Sequence, residues 1–203
     1  MKLYWSSRSP FVRKVMIAAH ELGLADRIET IPVVVALAQP NADVMAVNPL
    51  NKIPTLITDD GIVLFDSAAI CEYLESLPGG GTLFPAAPAA RWPALRWHAL
   101  GNGMLDALIL WRTERTRPEA QRSQAVLDAF KLKIEAALAL LEREAADLAA
   151  APVTIGAIGV GAALGYLDFR FDDVAWRTGR PQLAAWYETF AQRPSMRATA
   201  PHD

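Results

Sequence analysis

The sequence predicts an α/β amino-terminal domain followed by an all-α carboxy-terminal helical bundle, and three observations predict it. A strand, helix, strand pattern of roughly 35 residues opens the chain, about the minimum for a parallel pair with a crossover helix. Residues 78–88 contain three consecutive glycines and three prolines, the composition of an interdomain linker. Beyond them the strand signals fade and long helical periodicities take over. The expected organisation is a first domain over residues 1–77, a linker over 78–88 and a helical domain over 89–203.

Residues 2–5 read as a short strand. Ser6 to Ser9 form a polar break before Pro10, which suits the first turn of a helix because its missing N–H would have no partner there. Val12, Val15, Met16 and Ala19 follow the three-and-four spacing of a buried face, so the helix is expected to reach about Leu22, with Gly23 where a helix often stops. A strand is expected over 27–34. Residues 36–51 are less regular, and Asn48-Pro49-Leu50-Asn51-Lys52-Ile53-Pro54 punctuates the chain with turn residues. Two short strands, 55–58 and 62–65, flank Asp59-Asp60-Gly61, a hairpin signal.

Asp66 is placed to cap a helix that opens at Ser67, carries Ala69, Ile70, Tyr73 and Leu74, and ends by Leu77. In the second half, helical periodicity covers 89–116, 119–150 and 154–171, with a shorter stretch at 181–191. Thr154 is expected to cap the third of these alone, contributing about 1 kcal/mol.

Composition narrows the function classes. With 52% hydrophobic and 21% charged residues, the chain has ample material for a core. Lys and Arg number 20 against 22 Asp and Glu, so there is no large positive field to attract phosphate backbones and no nucleic-acid partner is expected. His20, His98 and His202 are scattered without metal-ligand spacing, and no metal is expected. The amino terminus lacks the apolar run of a secretory signal, and the single cysteine, Cys71, suits a reducing compartment; a cytoplasmic location is expected. Cys71 falls within a helical pattern and reads as a small core residue.

The apolar stretch 149–167 approaches the ~20 residues of a membrane span. Pro152 and the glycines at 156, 159, 161 and 165 make it a poor isolated helix but allow close packing in a bundle, so no membrane is expected. No Gly-x-Ser-x-Gly elbow surrounds any serine, which disfavours a serine hydrolase.

Four motifs carry a resemblance. Ser6-Ser7-Arg8-Ser9-Pro10-Phe11-Val12-Arg13-Lys14 is similar to the start of the first helix of glutathione transferases. Asn48-Pro49-Leu50-Asn51-Lys52-Ile53-Pro54 resembles their turn before a cis-proline, Phe65-Asp66-Ser67-Ala68-Ala69-Ile70 their glutamyl site, and Gly165-Tyr166-Leu167-Asp168-Phe169 is a weaker match in the helical domain. The resemblance covers essentially the whole chain. It implies a thioredoxin-like first domain that binds glutathione, a second domain that selects a small hydrophobic electrophile, a homodimer and a role in detoxification.

The resemblance implies site roles that elementary chemistry explains. A free thiol with a pKa of about 8.5 is mostly protonated near neutrality, so the nucleophile must be made. The Ser9 hydroxyl, donating to the sulfur at a helix amino terminus, would stabilise the thiolate; as a simple helix cap it would have another use, and both can hold. Cysteine stands at neither Ser9 nor Val12, so the disulfide chemistry of thioredoxin-like proteins is not expected.

Ile53, before Pro54, would pair its backbone with the extended cysteinyl unit of glutathione. Ser67 and the amides after it would receive the glutamyl α-carboxylate, Asp66 its ammonium, and Lys52 the glycyl carboxylate. Asn51 stands where many relatives carry glycine. Arg8, Arg112 and Arg115 suit an anionic co-substrate, and a solvated charged face accounts for them as well. The alternative to a transferase is a non-catalytic ligand-binding or interaction protein of the same fold, since fold does not imply function.

Overall fold

The structure, a computed structural model, describes residues 1–36, 38–78 and 82–203. The glycines 79–81 of the expected linker lie outside the described residues. The chain divides into two compact units, one made of Met1–Pro88 with Pro194–Asp203 and the other of Ala89–Arg193.

In the first unit, β1 (Lys2–Trp5), α1 (Pro10–Glu21) and β2 (Glu29–Pro32) form the expected crossover unit, with β1 and β2 parallel. A one-turn helix, α2 (Ala42–Met45), follows; it is too short to leave a periodic signal in the sequence. The hairpin β3 (Thr55–Ile57) and β4 (Val63–Leu64) completes a sheet of order β2-β1-β3-β4, in which β3 is antiparallel to both neighbours. Gly61 takes φ +88°, the conformation the Asp-Gly signal anticipates, and the Thr58 hydroxyl accepts from the Ile62 amide at 2.8 Å across the turn. Strand β1 has the expected bounds, whereas β2, β3 and β4 are shorter than the sequence implies.

Helix α3 (Ser67–Ser76) packs against α1, burying Ile70, Cys71 and Leu74. Sequence patterning assigns residues 194–203 to the helical domain, but they belong to the first unit. There α9 (Pro194–Ala198) packs on α1: Arg13 Nη2 donates to the Met196 carbonyl at 3.3 Å, and the Ser195 hydroxyl donates to Glu21. Flanked by α3 and α9, α1 buries more than the one face its apolar spacing predicts. Lys14 is fully buried, its Nζ 5.7 Å from the Phe11 ring centroid.

The second unit holds α4 (Pro88–Arg115, whose first residue belongs to the first unit), α5 (Gln124–Arg143), α6 (Ala145–Ala150), α7 (Ile155–Arg170) and α8 (Pro181–Ala191). The single helix expected over 119–150 is instead a 3₁₀ turn, Glu119–Gln121, followed by α5 and α6. The break at Glu144 has a cause: its carboxylate accepts from Trp97 Nε1 at 2.7 Å and Arg96 Nη2 at 2.6 Å. Glu142 reaches α8, accepting from the Leu183 amide at 2.7 Å and the Gln182 amide at 3.2 Å, so a remote carboxylate caps a helix that lacks a capping side chain of its own.

Helix α7 is buried at every position from Ile155 to Leu167, as an interior bundle helix should be. Its glycines permit this. A Cβ on Gly156 would lie 2.5 Å from the Ala94 carbonyl oxygen, and one on Gly101 of α4 would lie 2.5 Å from the Gly159 carbonyl carbon. No helix among the described residues is long and apolar enough to cross a membrane. Thr154 departs from expectation: its hydroxyl makes no cap bond, and its Oγ1 is buried without a hydrogen-bond partner among the described residues. Asp168, from the weakest of the four motifs, accepts from Trp176 Nε1 at 2.7 Å and pairs with both Arg177 Nη atoms, tying the chain after α7 back onto that helix.

Candidate functional site

Strand pairing decides where the motif residues meet. Tyr4, near the end of β1, lies opposite Thr55 at the start of β3, and Leu64, at the end of β4, lies opposite Leu56. The chain therefore leaves β1 toward Ser9, enters β3 from Ile53 and Pro54, and leaves β4 toward Asp66 and Ser67, all at one end of the sheet. Three segments far apart in sequence converge there because β3 runs against both neighbours.

Ser9 is the N-cap of α1, with extended φ and ψ, and its Oγ accepts from the Val12 amide at 3.3 Å. Accepting this bond leaves the hydroxyl proton available to donate elsewhere. Pro10 carries no N–H and Val12 is taken, so Phe11 supplies the remaining amide of this helix start. Of the neighbouring serines, Ser7 Oγ donates to the His202 carbonyl at 2.8 Å, whereas Ser6 Oγ accepts from the Arg8 amide at 3.4 Å and, like Ser9, keeps its proton free to donate.

The turn before β3 is held from within. Asn48, 1% exposed, donates through Nδ2 to the Lys52 carbonyl at 3.1 Å and to Thr55 Oγ1 at 3.0 Å, and Thr55 Oγ1 donates to the same carbonyl at 2.9 Å. With the Lys52 carbonyl fixed by two donors, the Ile53 backbone is oriented beside the Ile53–Pro54 bond, which is cis. The Ile53 amide and carbonyl make no turn or loop hydrogen bond among the described residues. Asn51 takes φ +52°, the left-handed geometry that glycine would adopt at least cost, and its Oδ1 accepts from the Asn41 amide at 3.0 Å. The Lys52 side chain is exposed. Sequence reasoning found this turn but missed Asn48 and Thr55 as its supports, because their bonds exist only once the turn has folded.

Asp66 is the N-cap of α3 and accepts from the Ala68 amide at 2.9 Å. Ser67, 1% exposed, is the first residue of that helix, and the amides of Ser67 and Ala69 are unpaired among the described residues. Two unpaired donors, a serine hydroxyl and the positive end of the helix dipole together favour a carboxylate. Asp66 is exposed and brings a negative charge to the same edge.

Cys71 lies in the next turn of α3, fully buried; burial pushes its thiol up to about 11, partly offset by the charge of Lys14. It is a core residue rather than a nucleophile. Among the described residues, no group of three or more His, Cys, Asp and Glu side chains could hold a metal ion.

A sequence model of the glutathione S-transferase N-terminal domain matches residues 8–77, and one of the glutathione S-transferase C-terminal domain matches residues 124–189. The chain is 35% identical over 206 residues to the uncharacterized GST-like protein YibF of Escherichia coli K12, covering 99% of this chain and 98% of that protein. It is 31% identical over 218 residues to the glutathione S-transferase GstB of the same organism, covering 96% and 95%. The fold superposes with a TM-score of 0.96, at 44% identity, on a glutathione transferase family member from Pseudomonas fluorescens Pf-5 solved with bound glutathione, covering 100% of this chain and 99% of that one.

Proposed function

The chain belongs to the glutathione S-transferase family, and from that premise we propose that it joins the thiolate of glutathione to a small hydrophobic electrophile. The observation that carries this reading is the convergence, at one end of the sheet, of the α1 start with Ser9, the Ile53–Pro54 turn and the α3 start with Ser67. Glutathione offers a matching sequence of groups: a charged glutamyl head, an extended cysteinyl unit and a thiol.

In this reading the Ser67 hydroxyl and the unpaired amides of α3 hold the glutamyl carboxylate, while Asp66 pairs with its ammonium. The Ile53 backbone adds the cysteinyl unit as a short strand, and Lys52 meets the glycyl carboxylate. The sulfur then lies at the start of α1, where the Ser9 hydroxyl donates to it and the helix dipole favours its negative charge. Each unit by which the bound thiol's pKa falls corresponds to about 1.4 kcal/mol of preference for the thiolate. The thiolate attacks the electrophilic carbon, the sulfur–carbon bond forms, and a leaving group departs with its electron pair or the electrons pass into a conjugated acceptor. The helical domain chooses the electrophile. The protein acts as a cytoplasmic homodimer in detoxification.

The test is calorimetric binding of glutathione to wild type and Ser67→Ala, with ultraviolet titration of the bound thiol in wild type and Ser9→Ala. We expect saturable binding weakened at least about tenfold by Ser67→Ala, in line with loss of a bond to a charged group. The bound thiol should have a pKa below that of free glutathione, rising in Ser9→Ala. Absence of binding at millimolar glutathione overturns the site; binding with an undisturbed thiol pKa favours a non-catalytic binding protein.

A further inference from the structure

At the carboxy-terminal ends of α4 and α7, the helical unit gathers guanidinium groups and rings around one phenol. The Arg115 guanidinium carbon lies 5.6 Å from the Trp111 ring centroid and 5.1 Å from that of Phe171. Trp111 and Phe171 are themselves 5.0 Å apart, and Tyr166 lies 6.4 Å from Phe171. Arg115 Nη2 donates to Asp173 at 2.8 Å, while its Nη1 is buried with no hydrogen-bond partner among the described residues. Tyr166 is only 6% exposed, and its hydroxyl makes no hydrogen bond with any described residue. Burial raises its pKa, and the charges of Arg112 and Arg170 act on it in the opposite sense, so both guanidinium groups lie within electrostatic reach of the phenol.

Helix dipoles explain part of this arrangement. Arg112 and Arg115 stand in the last turn of α4 and Arg170 in that of α7, where the negative end of the helix dipole stabilises a cation. An exposed arginine would gain the same. The dipole does not account for a guanidinium N–H buried against two rings without a partner, nor for a phenol beside it whose hydroxyl bonds to no described residue. Such groups become favourable when a ligand completes them. Guanidinium forks and a phenolic O–H are donors, and they match a carboxylate; the rings beside them match an apolar body attached to it.

We propose that Arg112, Arg115 and Tyr166 bind a carboxylate, with Trp111 and Phe171 against the rest of the molecule, and that the electrophile is accordingly an aromatic or similarly apolar carboxylic acid. This rests on the transferase reading, which gives the choice of electrophile to the helical domain. Asp173 occupies one edge of the Arg115 fork and leaves the Nη1 edge for the ligand. With 4-(bromomethyl)benzoate as probe, the glutathione thiolate would form the sulfur–carbon bond at the benzylic carbon. The carbon–bromine pair would leave as bromide, and the thiol proton would pass to solvent.

The experiment uses the full chain in two arms. Calorimetry compares 4-methylbenzoate with the neutral 4-methylbenzamide, and initial rates compare 4-(bromomethyl)benzoate with 4-(bromomethyl)benzamide at saturating glutathione. Wild type should bind the acid at least about tenfold more tightly than the amide, the ratio expected when a bond to a charged group is gained. Arg112→Gln, at an exposed position, and Tyr166→Phe, which keeps the ring, should each erase most of that ratio while leaving the amide unaffected. In the rate arm the loss should fall on KM for the acid, with kcat retained.

Equal wild-type affinity for acid and amide, or variants that weaken both alike, would overturn the proposal. Glutathione binding measured on the same samples keeps the two readings apart. Its absence removes the transferase reading, whereas normal glutathione binding without acid preference removes only this one.

Discussion

Thr154 and Ser9 both precede a helix, and their side chains behave in opposite ways. Ser9 caps α1 by accepting from Val12, whereas the Thr154 hydroxyl is buried and unpartnered at the start of α7. A threonine that capped would lose about 1 kcal/mol on conversion to an apolar residue. Thr154→Val here removes an unsatisfied hydroxyl and keeps the shape, so urea unfolding should show unchanged or slightly raised stability, by up to about 1 kcal/mol. A loss of that size instead would mean that the hydroxyl is bonded in solution. Both residues are legible as caps from sequence, because small hydroxyl residues before an apolar run carry that signal. Whether the oxygen finds an amide depends on the local dihedrals and on what packs around it. Sequence shows the first only as a preference and the second not at all.

At the scale of elements, the crossing of α4 and α7 is set by glycines. Gly101→Ala would push its Cβ into the Gly159 backbone, which cannot rotate away, so the helices must part; a loss of about 1–3 kcal/mol is expected. Gly103 lies two residues on with nothing within 4 Å, and Gly103→Ala should stabilise by about 0.5–1 kcal/mol through helix propensity alone. Thermal or urea melts of the two variants should therefore move in opposite directions. Equal effects would show that propensity, not close approach, governs this helix.

The α5–α6 break gives a pH dependence. Burial acts to raise the Glu144 pKa, but hydrogen bonds from Arg96 and Trp97 and the nearby positive charge outweigh it and hold the carboxyl below its ordinary value. The stability it contributes is thus complete above the unfolded pKa of about 4.3 and is lost as pH falls through the lower folded value. Glu144→Gln should destabilise at pH 7, and its difference from wild type in urea unfolding should shrink as pH drops below about 4. A difference independent of pH would assign the effect to packing. The helical period is readable across 119–150, yet the break is not, because Trp97, to which Glu144 turns, is 47 residues away.

At the scale of the whole molecule, apolar side chains remain uncovered on each unit. Ile62, Val63 and Phe65 are exposed around the β4 hairpin of the first, and Trp92 and Leu132 are 66% and 72% exposed on the second. These side chains are candidates for the interface of the proposed homodimer. Sedimentation at micromolar concentration should give twice the 22.1 kDa chain mass, shifted toward monomer by Trp92→Asp; a monomer in wild type would remove the dimer from the reading. Sequence by itself determined the order of strand, helix, strand, hairpin and helix and the helical second half. Turn chemistry, capping residues and hydrophobic period act over a few residues and are written locally. Only the tertiary structure decided that residues 194–203 join the first unit, that Lys14 is buried, that Asn48 and Thr55 hold the Lys52 carbonyl, and that Arg115 keeps a buried unpaired donor. Each of these depends on partners distant in sequence or on the neighbours a fold supplies, and no local pattern in a chain encodes which surfaces will meet.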